Sequence, residues 1–251
     1  SECLAVERPL TIAYLGPEAT FTQQAAVKHF GHAARTQPCP SIDECFRLVE
    51  ARQADYAVSP VENSTEGPVG RTLDLMVSTP LRACGEVLLR IQHHLLQQPG
   101  ANGQPEKVYA HAQALAQCHE WLNRHLPHAT RISVASNAEA ARLAAAEPQA
   151  AAIAGQAAAE HYHLAKLAAN IEDEPNNTTR FLVIGKQASS PSGHDKTTIL
   201  VSSQNRPGLL YKLLEPIGRH GINMTRIESR PSKQGIWEYI FFIDLDGHQS
   251  E

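Results

Sequence analysis

The chain has 251 residues, enough for one large or two ordinary domains with a substantial core. Its 22 Lys and Arg against 26 Asp and Glu leave a net charge of −4, and the basic residues are scattered rather than interleaved with aromatics. That pattern excludes a general nucleic-acid surface. No window approaches the roughly 18 apolar residues of a membrane span, and residues 1–8 lack the apolar core of a signal peptide.

Five cysteines (Cys3, Cys39, Cys45, Cys84 and Cys118) form no CxxC and lie far apart, as expected of reduced thiols in a cytoplasmic protein. The 13 histidines never combine with carboxylates in an HExxH-like pattern, so no structural metal is expected.

In chain order, residues 10–15 read as a strand turned by Gly16-Pro17, and Phe21, Ala25, Ala26 and Phe30 recur at helical spacing until Gly31. Ser41-Ile42-Asp43-Glu44 is a capping box, with Ile42, Cys45, Phe46 and Val49 on one face of the helix behind it. Residues 56–59 form a strand that ends at Pro60, and 72–76 are helical. Residues 87–96 read as one extended run, 108–110 as a strand and 113–125 as a single helix. Residues 132–134 are a strand, Ser136-Asn137 caps an Ala-rich helix, and residues 151–154 are a small-residue strand before Gly155 opens the next helix.

The alternation predicts an α/β domain over residues 10–186, with one lobe at about 10–90 plus 172–186 and a second at about 91–171. Residues 187–196 are rich in Ser, Gly and Pro and read as a linker, with residues 1–9 a leader. From residue 197 the order is βαββ, the first part of a ferredoxin-like unit whose last helix and strand are missing by Glu251.

Ligands of α/β folds gather where strands end and helices begin. Five such junctions carry polar side chains: Thr20-Phe21, Glu62-Asn63-Ser64, His111 with Gln113, Ser136-Asn137, and Asn177-Thr178-Thr179-Arg180-Phe181. The last is the most suggestive, because it sets a hydroxyl beside a guanidinium at the mouth of the apolar strand 182–185.

Residues 14–21 (YLGPEATF), 60–64 (PVENS) and 179–181 (TRF) resemble prephenate dehydratase, in that order and spacing. Asn205-Arg206-Pro207-Gly208-Leu209-Leu210 and Glu228-Ser229-Arg230-Pro231 look like the two phenylalanine-binding motifs of its regulatory ACT domain. Residues 3–7 are similar to the tail of a chorismate mutase helix, which suggests a bifunctional chorismate mutase–prephenate dehydratase cut at both ends.

The resemblance implies a two-lobed fold like the type II periplasmic binding proteins, followed by a partial α+β ACT domain. It also implies loss of water and carbon dioxide from prephenate without metal or cofactor. Thr179 matches the hydroxyl that supports the leaving oxygen, and Arg180 is expected to anchor a carboxylate. Glu62 could supply a proton if the cleft raises its pKa. Thr20, Phe21, Asn63, Ser64, His111, Gln113, Gln117, Ser136, Asn137, Gly155 and Phe181 are expected to line the pocket.

Ala19, Ala110, Ala112 and Asn137 depart from the family pattern, and Ala19 is tolerable only where the turn needs no positive φ. Arogenate dehydratase and a carboxylate-sensing module remain open as alternatives.

Phenylalanine is the expected allosteric inhibitor, bound through Asn205, Pro207, Gly208, Leu209, Leu210, Asn223, Glu228, Ser229, Arg230 and Pro231 between paired ACT units of a homodimer or tetramer. Glu228 and Arg230 alternate along a strand and share a face, with Ser229 on the other. Phenylalanine inhibition of a chain ending at Glu251 is expected to be weak or absent. A dose–response curve as steep as that of an undivided protein would contradict this.

Overall fold

The computed structural model describes residues 8–233 and 235–250; the chorismate mutase-like stretch at 3–7 lies outside them. The chain divides into two compact units, residues 1–188 and 189–251.

The first unit holds two sheets. One is six-stranded, in the order β2-β1-β3-β11-β5 with β4 paired to β3. Its strands are β1 (Thr11–Leu15), β2 (Arg35–Cys39), β3 (Tyr56–Asn63), β4 (Gly67–Pro68), β5 (Arg82–Arg90) and β11 (Thr178–Gly185). Helix α1 (Phe21–Phe30) covers one face, where Ala25 and Ala26 pack on Ile12, Val58, Phe181 and Val183. Helices α2 (Ile42–Glu50) and α3 (Gly70–Ser78) cover the other, where Phe46 and Val49 pack on Ala13, Ala57 and Ile184. Ser41 caps α2 by accepting from the Glu44 amide at 3.1 Å, whereas Glu44 turns to Arg47 and leaves the reciprocal half of the capping box unmade.

The second sheet is five-stranded, in the order β10-β6-β9-β7-β8. It comprises β6 (His94–Gln97), β7 (Lys107–Ala110), β8 (Thr130–Ser133), β9 (Ala150–Ala154) and β10 (Ala165–Ala168). Strand alternation sends Ala151 and Ile153 toward α4 (Ala112–Gln117) and α5 (His119–His125). It sends Ala150, Ala152 and Ala154 toward α6 (Asn137–Ala146) and α7 (Gln156–His161). The small residues of β9 meet the alanines of α6, so helix and sheet approach closely without large side chains between them.

Several predicted bounds change. The extended run at 87–96 is two strands, β5 and β6, in different sheets, with residues 91–93 crossing between the lobes. The helix expected over 113–125 breaks at Cys118, which caps both α4 and α5. Strand β3 runs through Pro60 to Asn63, and β11 starts at Thr178, so the segment read as a loop mouth is itself sheet. Strands β2, β4 and β10 carried too little apolar pattern to be predicted.

The two crossings between lobes run side by side. The Ile91 amide donates to Asn177 O at 2.8 Å, the Ile171 amide to His93 O at 2.9 Å, and the His93 amide to Glu172 Oε2 at 3.0 Å.

Among its described residues the second unit has a three-stranded antiparallel sheet in the order β12-β14-β13 and one helix. Its elements are β12 (Lys196–Gln204), α8 (Leu209–Arg219), β13 (Met224–Pro231) and β14 (Glu238–Asp246). Gly208 caps α8 at φ 76°, a left-handed conformation that favours glycine. Glu228 and Arg230 lie on the half-buried face of β13 and Ser229 on the exposed one.

His94 on β6 is 4% exposed and its Nδ1 accepts from the Asn170 amide at 3.1 Å. Burial, with the charge of Lys166 adding to it, pulls its pKa from 6.5 down to about 4. The unfolded chain therefore takes up a proton that folded His94 refuses. This contribution to stability is complete above pH 6.5 and is lost as pH falls from there toward about 4. His94→Asn keeps an acceptor for Asn170 and should flatten the denaturant midpoint across that window. An unchanged pH slope would contradict the assignment.

Candidate active site

A cavity of about 340 Å³ opens between the two lobes. From the first lobe it is lined by Leu15, Gly16, the start of α1, Pro60, Asn63, Thr179 and Phe181. From the second it is lined by His111, Gln113, Gln117, Ser136, Asn137 and Gly155, with Ile91 and His93 on the crossing segment. Thr20, Phe21, Asn63, His111, Gln113, Gln117, Ser136, Asn137, Gly155, Thr179 and Phe181 are thus brought to one place.

Thr179 and Asn63 stand opposite each other on β11 and β3. Asn63 Oδ1 accepts from the Thr65 amide at 3.0 Å, the Glu66 amide at 3.0 Å and Thr65 Oγ1 at 2.8 Å. These donors fix the orientation of the amide, so Nδ2 faces Thr179 and donates to its Oγ1 at 2.8 Å. Thr179 is thereby held as an acceptor toward Asn63, and its own proton is left to point elsewhere.

The same logic recurs around the cavity. Thr20 Oγ1 accepts from the Gln23 amide at 3.4 Å and Ser136 Oγ from the Glu139 amide at 3.0 Å. His111 Nδ1 accepts from the Gln113 amide at 3.2 Å, which places that ring's proton on Nε2. Asn137 Oδ1 accepts from the His111 amide at 2.9 Å, which leaves its Nδ2 as the free end. Each cap spends its acceptor on backbone and keeps a donor. The described residues that line the cavity include no Lys, Arg, Asp or Glu.

Three expectations need correction. Arg180 does not line the cavity: it follows Thr179 on a strand and so faces the opposite side of the sheet, where its Nη1 donates to Glu86 Oε2 at 3.1 Å and its Nε lies 3.7 Å from Glu62 Oε2. Glu62 faces that same side, so it is not placed to give a proton in the cavity. Ser64 also stays outside; its Oγ accepts from the Thr178 amide at 2.9 Å and staples the turn after β3 to the start of β11.

His93 was noticed in the sequence only for failing a metal pattern, yet it is 2% exposed and its Nε2 lies 2.7 Å from Gln117 Oε1. Gln117 Nε2 donates across the lobes to Thr65 Oγ1 and Glu66 Oε1, each at 3.4 Å, so Oε1 is the end left for His93 Nε2–H. Burial pulls the His93 pKa below its ordinary value against the Gln117 bond and the Glu172 charge, and the ring stays neutral. No local sequence signal marks it, because its position comes from the crossing between sheets.

Two other positions have steric explanations. Ala19 adopts φ 68°, so this turn does use the conformation that glycine favours, and its methyl packs in the second lobe's apolar cluster. A Cβ on Gly155 would sit 2.7 Å from Phe21 Cε1, so the two lobes meet here only through glycine.

The prephenate dehydratase family profile matches residues 12–189, and the ACT domain profile matches residues 197–251. The chain belongs to the prephenate dehydratase family.

The bifunctional chorismate mutase/prephenate dehydratase of Neisseria gonorrhoeae is 63% identical over 256 residues, covering 100% of this chain and 70% of that relative. A second bifunctional chorismate mutase/prephenate dehydratase, from Pseudomonas aeruginosa, is 53% identical, covering 100% of this chain and 69% of the relative. Among solved structures, the prephenate dehydratase of Arthrobacter aurescens in complex with L-Phe superposes with a TM-score of 0.86 at 35% identity, covering 95% of this chain and 81% of the other. GqqA, described as a novel type of quorum quenching acylase, superposes at 0.85 with 28% identity, covering 95% of this chain and 88% of that one.

Asn63→Asp tests the orientation of Thr179 in this prephenate dehydratase family site. The carboxylate can still accept from Thr65 and Glu66, but it turns the Thr179 proton toward itself. Turnover at saturating substrate should fall about a hundredfold while the melting transition stays near that of the parent. Undiminished turnover would show that the hydroxyl proton is not needed.

Proposed function

We propose that this chain converts prephenate to phenylpyruvate with loss of water and carbon dioxide. The observation that carries the reading is the Asn63–Thr179 hydrogen bond, which leaves the Thr179 proton available to a group in the cavity. In the reaction the bond from C1 to its carboxylate breaks and releases carbon dioxide. Its electron pair completes the aromatic ring, and the C4–oxygen bond breaks. The departing hydroxide takes one proton from solvent and leaves as water. Thr179 donates a hydrogen bond to that oxygen as charge grows on it, which suits a hydroxyl too weakly acidic to surrender its proton. Aromatisation drives the step, and the site has only to align and stabilise it.

The two substrate carboxylates are held by uncharged donors: the amide ends of α1 and α6, the Ser136 and Thr20 hydroxyls, His111 Nε2 and Asn137 Nδ2. This replaces Arg180 as the anchor. The absence of a carboxylate among the described lining residues favours prephenate over arogenate, whose ammonium would need an acceptor. It also counts against an acylase. Three of the cavity hydroxyls, those of Thr20, Ser136 and Thr179, are paired with two backbone amides and an Asn, none with a His or carboxylate that would activate a nucleophile.

Phenylalanine is the proposed inhibitor, bound in the second unit at the turn holding Asn205, Pro207, Gly208, Leu209 and Leu210. Asn223 and the β13 residues Glu228, Ser229, Arg230 and Pro231 complete the set. Paired ACT units would make the assembly a homodimer or tetramer. The free thiols of Cys39, Cys45, Cys84 and Cys118 suit a cytoplasmic location.

Incubation with prephenate and, separately, arogenate, followed by assay for phenylpyruvate and phenylalanine, tests the reading. Turnover of prephenate is expected, and turnover of neither would favour a carboxylate sensor. Thr179→Ala should lower kcat by about 10²-fold or more while substrate affinity changes little. Equal losses in both would argue against the donor role.

A further inference from the structure

We propose that Arg180 is a positioning residue whose guanidinium, held between Glu62 and Glu86, clamps β3, β11 and β5 behind the cavity and so fixes Asn63 against Thr179. The inference rests on the dehydratase reading above and names how its central hydrogen bond is kept in register.

Three observations carry it. The first is the ladder. Thr179 pairs with Asn63 and Arg180 with Glu62, but Phe181 pairs with Pro60, so Val61 is an extra residue and β3 bulges beside Glu62. The second is the result of that bulge. Pro60 and Asn63 are three residues apart and in a regular strand would face opposite sides, yet both line the cavity. Asn63 reaches Thr179 only because the strand is irregular here.

The third is the charge cluster on the other face of the same rungs. Arg180 extends to Glu62 on the bulged strand and to Glu86 on β5, at 3.7 and 3.1 Å, with only 13% of its side chain exposed. A bulge disrupts the ladder locally and leaves the extra residue unpaired, so the backbone at that rung does less to specify the pairing. A half-buried cation between carboxylates on both neighbouring strands restores that specification, because a slip by one residue would strand a charge away from its partners. The same geometry prevents Arg180 from anchoring substrate. Turning it into the cavity would turn Thr179 out of it.

The test is a cycle of the parent, Arg180→Met, Thr179→Ala and the double variant, assayed with prephenate. Acting only through Thr179, Arg180→Met should lower kcat about ten- to a hundredfold with KM nearly unchanged, and should cost almost nothing further once Thr179 is Ala. Arg180→Lys, which keeps the charge, should recover part of the loss. Losses that multiply in the double variant, or a raised KM with kcat retained, would overturn the clamp; the second outcome would restore Arg180 as an anchor.

Should Arg180→Met fold poorly, Glu86→Gln serves in its place, with the same kcat-selective loss expected. A second readout needs no activity. Amide exchange at Thr65 and Glu66, which donate to Asn63, should speed up in the Arg180 or Glu86 variant, and unchanged protection would overturn the clamp. A parent that turns over neither prephenate nor arogenate would defeat the functional reading, while exchange at those amides would still decide the clamp.

Discussion

The return of the chain as β11 between β3 and β5 is the constraint on which the site depends. A central strand has two faces and no freedom to exchange them. Once Phe181 and Val183 are committed to the α1 side, Thr179 must face the cavity and Arg180 must face away. The hydroxyl then stands opposite Asn63, whose amide is turned by the two backbone donors of the following residues. A chain of fixed orientations therefore runs from the turn after β3, through one side-chain amide, to the proton on Thr179. Each link is a short local bond, and none needs a charge in the cavity.

The uncharged lining has chemical consequences. Helix ends and capped hydroxyls form an acceptor-binding surface assembled before any ligand arrives, so little reorganisation is needed when charge moves. Full positive charges would bind a dianion more tightly but would also hold a monoanionic product. In the proposed reaction one of the two carboxylates leaves as carbon dioxide, and a surface of partial charges loses much of its grip at that moment. Burial keeps His93 neutral at the floor of the same cavity, in line with this economy of charge.

Much of this was legible in the sequence where local chemistry decides the outcome. The caps at Ser41 and Ser136, the small-residue strand at β9 and the junctions that line the cavity follow from residue type and spacing. What was not legible depends on long-range pairing. The bulge at Val61 exists only against β11, over a hundred residues later, and it decides which of Glu62 and Asn63 enters the cavity. Arg180 was misread for the same reason: beside a hydroxyl in a presumed loop it could face the ligand, whereas in a strand it cannot. The break between β5 and β6 was hidden because both halves are extended and apolar, and only the partner sheets differ.

The interrupted first lobe also bears on how the protein is made. Strands β3 and β5 become neighbours of β11 only after the whole second lobe has left the ribosome, because that lobe lies between them in the chain. During synthesis the second lobe can fold as a continuous stretch, while the first waits with the facing edges of β3 and β5 unpaired. Closure of this gap is a non-local event, of the kind that slows folding more than it alters final stability. It also means that a truncated or nascent chain lacking β11 has neither Thr179 nor a complete sheet, so chemistry and structural completion arrive in the same step.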